Sequence, residues 1–443
     1  MLNSIEYYKR RTLIFIVFCL LFAMSLFLRS SPAVIAHDLM EAFSISTSSL
    51  GLMAAVYFWI YGGVQIPVGV LADRIGIRYT VFLFGVVGIA GTLLFALAYS
   101  VQMAFLARIL TALGTACFWV PALKYLSLFY LPEEFASLTS VISSVANVGL
   151  IFSSYPLAFL VERTNWRLPF LLSSIVLLLL ILLAWFLMDL KAAPGTGKET
   201  SVSFDEGQIE NTGEARQKNA FQFSNDNEGG KLKFAHYFSL YYKFIYFIIW
   251  SFFVYGILFS FQMLWGAAYL QEVFSISREA AGLILMFTSF GLIVGGPFWG
   301  VLSDRLIKAR KPVIVSGTLG FLFTLLLFLF KSSYWGFWPV SLLYFSFGFF
   351  GVVFLINITC VKEFFPLKIT GTALGILNSI MIMSVGFFQS LSGFLLERYF
   401  KAGTLVKVSY FNIFMLFAIC IFIAFVIALM MPETFKKQRA EKV

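Results

Sequence analysis

Few residues in this 443-residue chain could do bond chemistry. The two histidines, His37 and His236, are far apart, and Cys19, Cys117, Cys360 and Cys420 show no CxxC or Cys/His spacing. A metal centre needs several such ligands converging, so the cysteines read as small buried hydrophobes. The 22 carboxylates fall in loops or near the ends of apolar stretches, none in the middle of one. With no nucleophile–base pair inside those stretches, an embedded enzyme has nothing to work with. The reading is no enzyme, no metal and no cofactor. It also argues against simple carboxylate-mediated proton coupling, leaving Asp38 and Glu162 as groups for an outer vestibule.

What remains inside the apolar stretches is positive. Arg29 and Arg108 lie within two of them, and Lys124 near the end of the second. A cation in hydrocarbon costs about 3 kcal/mol or more unless water or an anion meets it. A guanidinium fork fits a carboxylate or phosphate in two-point contact. Arg29, followed by Pro32 and then Asp38, is placed near mid-depth if the helix continues, and predicts an anion site. Arg108 is shallower, and snorkelling toward the headgroups competes with a cavity role there and at Lys124. Neutral hydrogen-bonding groups complete the candidate cavity: Tyr57, Tyr61, Gln65, Asn147, Tyr255, Gln262, Trp265, Asn357 and Asn378. Any one of them serves equally as glue between helices.

Membrane-spanning helices must position these groups. Sixty per cent of the residues are hydrophobic and 12% charged, where soluble domains carry roughly 25% charged. Stretches of about 20 apolar residues, enough to cross hydrocarbon as helix, occur at 13–36, 48–70, 79–100, 103–128, 137–160, 168–189, 244–270, 280–302, 313–331, 336–360, 370–395 and 409–431. No ten-residue alternation suggests a β-barrel, and the first stretch is too long to be a signal-peptide core. Stretches six, nine and twelve are nearly pure Leu, Ile, Phe and Val, which suits lipid-facing support.

The chain also repeats itself. Gly69-Val70-Leu71-Ala72-Asp73-Arg74 returns 231 positions later as Gly300-Val301-Leu302-Ser303-Asp304-Arg305. Phe159-Leu160-Val161-Glu162-Arg163 returns 235 positions later as Phe394-Leu395-Leu396-Glu397-Arg398. Two echoes at nearly one period predict duplicated six-helix halves around a central cavity. The predicted division is 1–190 for one bundle, 191–242 for a polar linker with a short amphipathic helix near 231–242, and 243–443 for the second bundle. If the N-terminus is cytoplasmic, 23 of the 32 Lys and Arg fall on that side, seven outside and two within spans. That bias orients membrane helices and explains the net charge of +10 without nucleic acid.

Gly69-x-Leu71-Ala72-Asp73-Arg74-x-Gly76-x-Arg78 closely resembles the loop between helices two and three of the major facilitator superfamily. Gly300, Asp304 and Arg305 stand where that family has a second copy, here without its later glycine. The resemblance implies an all-α membrane protein of twelve helices in two pseudo-symmetric six-helix bundles. It implies a latch at Asp73, Arg74, Gly76 and Arg78 that joins the halves while the cavity faces outward. Asp73 would then be compensated by Arg74, Arg78 and a helix N-terminus. Arg29 is similar to the first-helix arginine of branches carrying organic phosphates or anions, although the second cation such branches often carry in helix seven is absent. Arg108 with Gly114 resembles the fourth-helix arginine motif. Residues 28–34 and 61–74 are similar to bacterial facilitators near the lysosomal dipeptide transporter branch.

The expectation is a monomeric, multi-pass transporter in the cytoplasmic membrane, both termini cytoplasmic, moving a small polar anion by rocker-switch alternating access. Its partners are the bilayer, the small-molecule substrate and a coupling ion or counter-transported anion. The competing substrate classes are dipeptides or amino acids, and drugs or metabolites for export.

Overall fold

In the computed structural model the described residues are 4–188, 229–329 and 336–435. Most of the expected linker, Asp189 and the basic residues after Phe435 lie outside them. The described chain is helical, without strands. Twelve of its helices are long and apolar enough to cross a membrane: α1 (Tyr8–Ala33), α2 (Thr47–Ile75), α3 (Ile77–Ala96), α4 (Val101–Phe129), α5 (Ser137–Arg163), α6 (Arg167–Leu187), α7 (Tyr242–Phe274), α8 (Arg278–Leu306), α9 (Lys311–Leu329), α10 (Phe337–Phe364), α11 (Ile369–Lys401) and α12 (Val406–Met430). In place of a short helix near 231–242, one continuous helix runs from Gly229 into α7. α1 begins and α12 ends on one face, called here the terminal face; the opposite face is distal.

Several spans are interrupted where the sequence places proline or where the backbone takes in an extra residue. α1 is α-helical to Ser30, tightens to a 3₁₀ turn over Ser31–Ala33 at Pro32, and is followed by the helix Ala36–Phe43. α4 has a 3₁₀ turn at Ala116–Phe118 just before Pro121, and α5 breaks at Ser153–Ser154 before Pro156. Proline lacks the N–H that a continuing helix would use. α7 and α8 contain π-turns at Phe261–Trp265 and Leu302–Leu306, each taking in one extra residue.

The packing partners repeat between halves. α1 packs on α5 as α7 does on α11, α2 on α4 as α8 on α10, and α3 on α6 as α9 on α12. α6 and α12 are the least buried spans, as expected of lipid-facing support. α9 departs from that expectation: half of its apolar window is buried.

Between halves, α2 meets α11 and α5 meets α8. Glycine allows the approach at the distal end. A Cβ on Gly51 would lie 2.6 Å from Gln389 O, and one on Gly393 2.5 Å from Thr47 O. At the terminal end of α11 the helices diverge, and a Cβ on Gly371 or Gly375 would meet nothing within 4 Å. The distal face is therefore sealed and the terminal face parted.

Candidate functional site

A cavity of about 240 Å³ lies between the halves. Its polar lining comes from Arg29 on α1, Tyr61 and Gln65 on α2, Ser143 and Asn147 on α5, Tyr255 on α7 and Asn378 on α11. Trp119, Phe259, Met263 and Phe354 supply apolar wall. Of the residues singled out from sequence, Arg29, Tyr61, Asn147 and Asn378 are thus brought together, with Gln65 and Tyr255.

Arg29 is 4% exposed, and its guanidinium stacks over the Tyr61 ring at 4.1 Å. Its Nη2 donates a long 3.4 Å hydrogen bond to Ser25 Oγ, and Nε has no partner. Among the described residues no carboxylate pairs with it. The tyrosine face offsets part of the cost of burying the charge, and the residue lines the cavity beside whatever fills it. Tyr57 backs this wall, its ring 6.2 Å from that of Tyr61 and its hydroxyl 2.5 Å from Thr115 Oγ1.

The other candidates lie away from the cavity lining, and all but Trp265, whose buried indole N–H has no hydrogen-bond partner, are held by protein groups. Arg108 does not snorkel. It is 2% exposed, donates from Nη1 to Leu28 O at 2.9 Å and lies over Tyr57 at 4.5 Å. It ties α4 to the end of α1, because the carbonyls before the 3₁₀ turn offer an acceptor that a shallow arginine can reach. Lys124 Nζ donates to Ala72 O and Asp73 Oδ1, at 2.6 and 2.7 Å. Gln262 donates to Ser289 Oγ at 3.0 Å, and Asn357 to Phe247 O and Ser251 Oγ at 3.0 and 2.6 Å. Trp265 is buried in the α7 π-turn.

The repeated loops are on the terminal face. Gly76 has φ +86°, as its turn requires, and Asp73 takes Lys124, not Arg74 or Arg78, as its ion-pair partner. Arg78 lies over the Trp185 ring at 4.2 Å. In the second copy Asp304 pairs with Arg310, not Arg305, and Arg310 also binds Glu363 at 2.6 Å. Lys308 holds φ +52° there. The π-turn at 302–306 supplies one extra residue, so position 308, one beyond the counterpart of Gly76, makes the turn. The Glu433 carboxylate accepts from the N–H groups of Arg310 and Lys311 at 2.9 and 3.0 Å. Burial would raise its pKa, but these and neighbouring backbone N–H groups together hold it below the ordinary range. Among the described residues, every ion pair on this face stays within one half.

Ion pairs across the halves are distal. Arg278 of α8 reaches Asp38 at 2.9 Å and Glu162 at 3.7 Å, Arg163 reaches Glu279 at 3.7 Å, and His37 Nε2 lies 3.5 Å from Glu272 Oε1. Ser46 of the first half donates to Glu397 of the second at 2.6 Å. Sequence reading missed the His37–Glu272 pair because it ended span seven at residue 270, whereas α7 carries Glu272 onward to Phe274.

The Major Facilitator Superfamily model matches residues 13–266 and 247–442. An uncharacterized transporter of Bacillus subtilis, YybO, is 26% identical over 37% of this chain, which spans only 37% of that relative's length. The probable sulfoacetate transporter SauU of Cupriavidus necator is 23% identical over 88% of each chain. The hexuronate transporter of Bacillus subtilis is 23% identical over 65% of this chain and 64% of its own. Among solved structures, a bacterial homolog of the human lysosomal transporter Spinster, inward-facing and occupied, superposes with a TM-score of 0.69. It is 16% identical and covers 95% of this chain and 96% of its own.

Proposed function

This chain belongs to the Major Facilitator Superfamily, and from that premise we propose that it carries a small organic anion across the cytoplasmic membrane, with Arg29 as the cation that binds it. The single observation behind the substrate class is a buried guanidinium lining the cavity with no carboxylate paired to it among the described residues. Unlike Arg108, which has a backbone carbonyl, Arg29 has only a long bond to Ser25 and a tyrosine face, and water or an anionic ligand in the cavity would stabilise its charge. The names of the sulfoacetate and hexuronate relatives point to the same class.

On this reading Tyr61, Asn147 and Asn378 orient the anion, with Gln65 and Tyr255. Arg108 and Lys124 act at one remove, the first by fixing α1 beside Arg29 and the second by holding Asp73 while the terminal face is parted. Residues 1–190 and 243–443 are the two rocking halves. The 23-to-7 bias in Lys and Arg makes the terminal face cytoplasmic, so this conformation opens inward. Gly69, Asp73, Arg74, Gly76 and Arg78, with Gly300, Asp304 and Arg305, close that face in the alternate state.

Ligand-induced thermal stabilisation of purified protein against sulfoacetate, hexuronates, sugar phosphates and dipeptides tests the assignment. An acidic solute should stabilise the wild type, and Arg29→Gln should weaken that solute at least about thirtyfold, the lower end of losing one partner of a buried charge pair (about 2 kcal/mol). Arg29→Lys should restore part of the binding. Equal stabilisation of wild type and Arg29→Gln refutes the anion site, and a response to dipeptides instead moves the assignment to zwitterions.

A further inference from the structure

We propose that His37 and Glu272 form a proton-binding site on the distal seam, filled while that face is sealed and emptied when it opens. The two groups belong to different halves, His37 to the helix after α1 and Glu272 to the end of α7, and stand 3.5 Å apart. The Glu272 side chain is 16% exposed and that of His37 38%. Of the other largely shielded distal carboxylates, Asp38 already has Arg278, which also reaches Glu162. Arg163 is committed to Glu279. Tyr410 of α12 sits against Glu272, with the Tyr269 ring of α7 5.2 Å from the Tyr410 ring. Glu397 and Lys401 of α11 pair with each other. Among the described residues, Glu272 therefore has no permanently charged cation, and its ion-pairing partner is an imidazole.

A sealed seam penalises the bare Glu272 carboxylate, so one proton stays on the pair, as imidazolium–carboxylate or as imidazole–carboxylic acid. Burial first, with Arg278 adding to it and Asp38 opposing, holds His37 below its ordinary range. Glu272 is what keeps the proton there. When the seam opens, both groups are hydrated and far apart. Above about pH 6.5 a free imidazole is neutral and a free carboxylate ionised, so the proton leaves. Closing the distal face then takes up at most one proton, and the closed-to-open ratio falls with pH from about pH 6.5 until the sealed pair itself loses the proton, by less than tenfold per pH unit. Acidity on the distal side drives the carrier toward the state open at the terminal face. The proton is taken from the distal side and returned to it, so it biases the conformational equilibrium without itself crossing the membrane.

The measurement is the distance between spin labels at Tyr99→Cys and Leu405→Cys, exposed distal positions in opposite halves. Cys19, Cys117, Cys360 and Cys420 are replaced by serine, and the protein is titrated in lipid nanodiscs from pH 5 to 8.5 without substrate. The wild type should be nearly flat to about pH 6.5 and then lose its short-distance population. Glu272→Gln should stay sealed above pH 6.5 with no such fall. His37→Gln leaves Glu272 alone, so the fall should begin near pH 5; this variant carries the test if Glu272→Gln does not assemble. Asp38→Asn should keep the wild-type slope. A pH-independent wild type, an unaltered slope in Glu272→Gln, an unmoved curve in His37→Gln, or loss of the slope in Asp38→Asn each overturns the proposal. Because no substrate is present, failure here leaves the anion assignment untouched.

Discussion

Adding one methyl group at Gly393 should push the carrier toward its distal-open state. A Cβ there would lie 2.5 Å from Thr47 O and 3.2 Å from the Gly51 Cα, both backbone atoms that no rotamer change can clear. Ordinary contact begins at 3.4 Å, so α2 and α11 must separate by most of an ångström. The hydrogen bond from Thr47 Oγ1 to Gly393 O, already 3.3 Å, would be lost as well. Overpacking of this kind costs about 1–3 kcal/mol. The methyl meets no such obstacle once the seam parts, so the whole cost falls on the sealed state, a shift of about 5- to 150-fold in the closed-to-open ratio. The same distal spin-label pair at fixed pH reads it directly. Gly375→Ala, on the same helix but with open space around it, should leave the sealed state unstrained. A folded Gly393→Ala protein whose distance distribution matches wild type would refute the argument that glycine packing seals this face.

Asp73→Asn should leave membrane insertion and melting temperature nearly unchanged, since Asp73 is 73% exposed and such pairs contribute about 1 kcal/mol at most. Uptake per folded molecule should nonetheless fall sharply; unimpaired uptake would show that the loop is only structural. Glu433 is held below its ordinary pKa, so its stabilising effect is complete above the usual carboxylate range and is lost as pH drops through the depressed value. Melting in detergent should therefore worsen below about pH 4, and Glu433→Gln should be less stable at neutral pH with a shallower acid limb. Lys308→Gly should raise the melting temperature modestly, by relieving about 1 kcal/mol of left-handed strain; an unchanged or lower value would show that the turn is not strained.

The sequence alone determined what depends on local composition. Lipid requires each span to satisfy its own backbone within about 20 apolar residues, so twelve helices could be counted before any contact was known. The echoes at 69 and 300, and at 159 and 394, made the halves equivalent for the same reason, since a duplicated segment folds by duplicated rules. Arg29 was legible because a buried cation without a carboxylate partner is anomalous wherever it points. Partner choice was not legible, being settled between residues far apart in the chain. Arg108 found the carbonyl of Leu28, Lys124 found Asp73, and Asn357 found Ser251. The same polar types, Arg29 and Asn378, were left facing the cavity. Two single-residue events also belong to the tertiary level. A π-turn moved the left-handed position from 307 to 308, and an extended α7 carried Glu272 to the seam against His37. A hydrogen-bonding side chain meets its partner or is left free according to how helices cross, and crossings are decided by packing across the whole bundle.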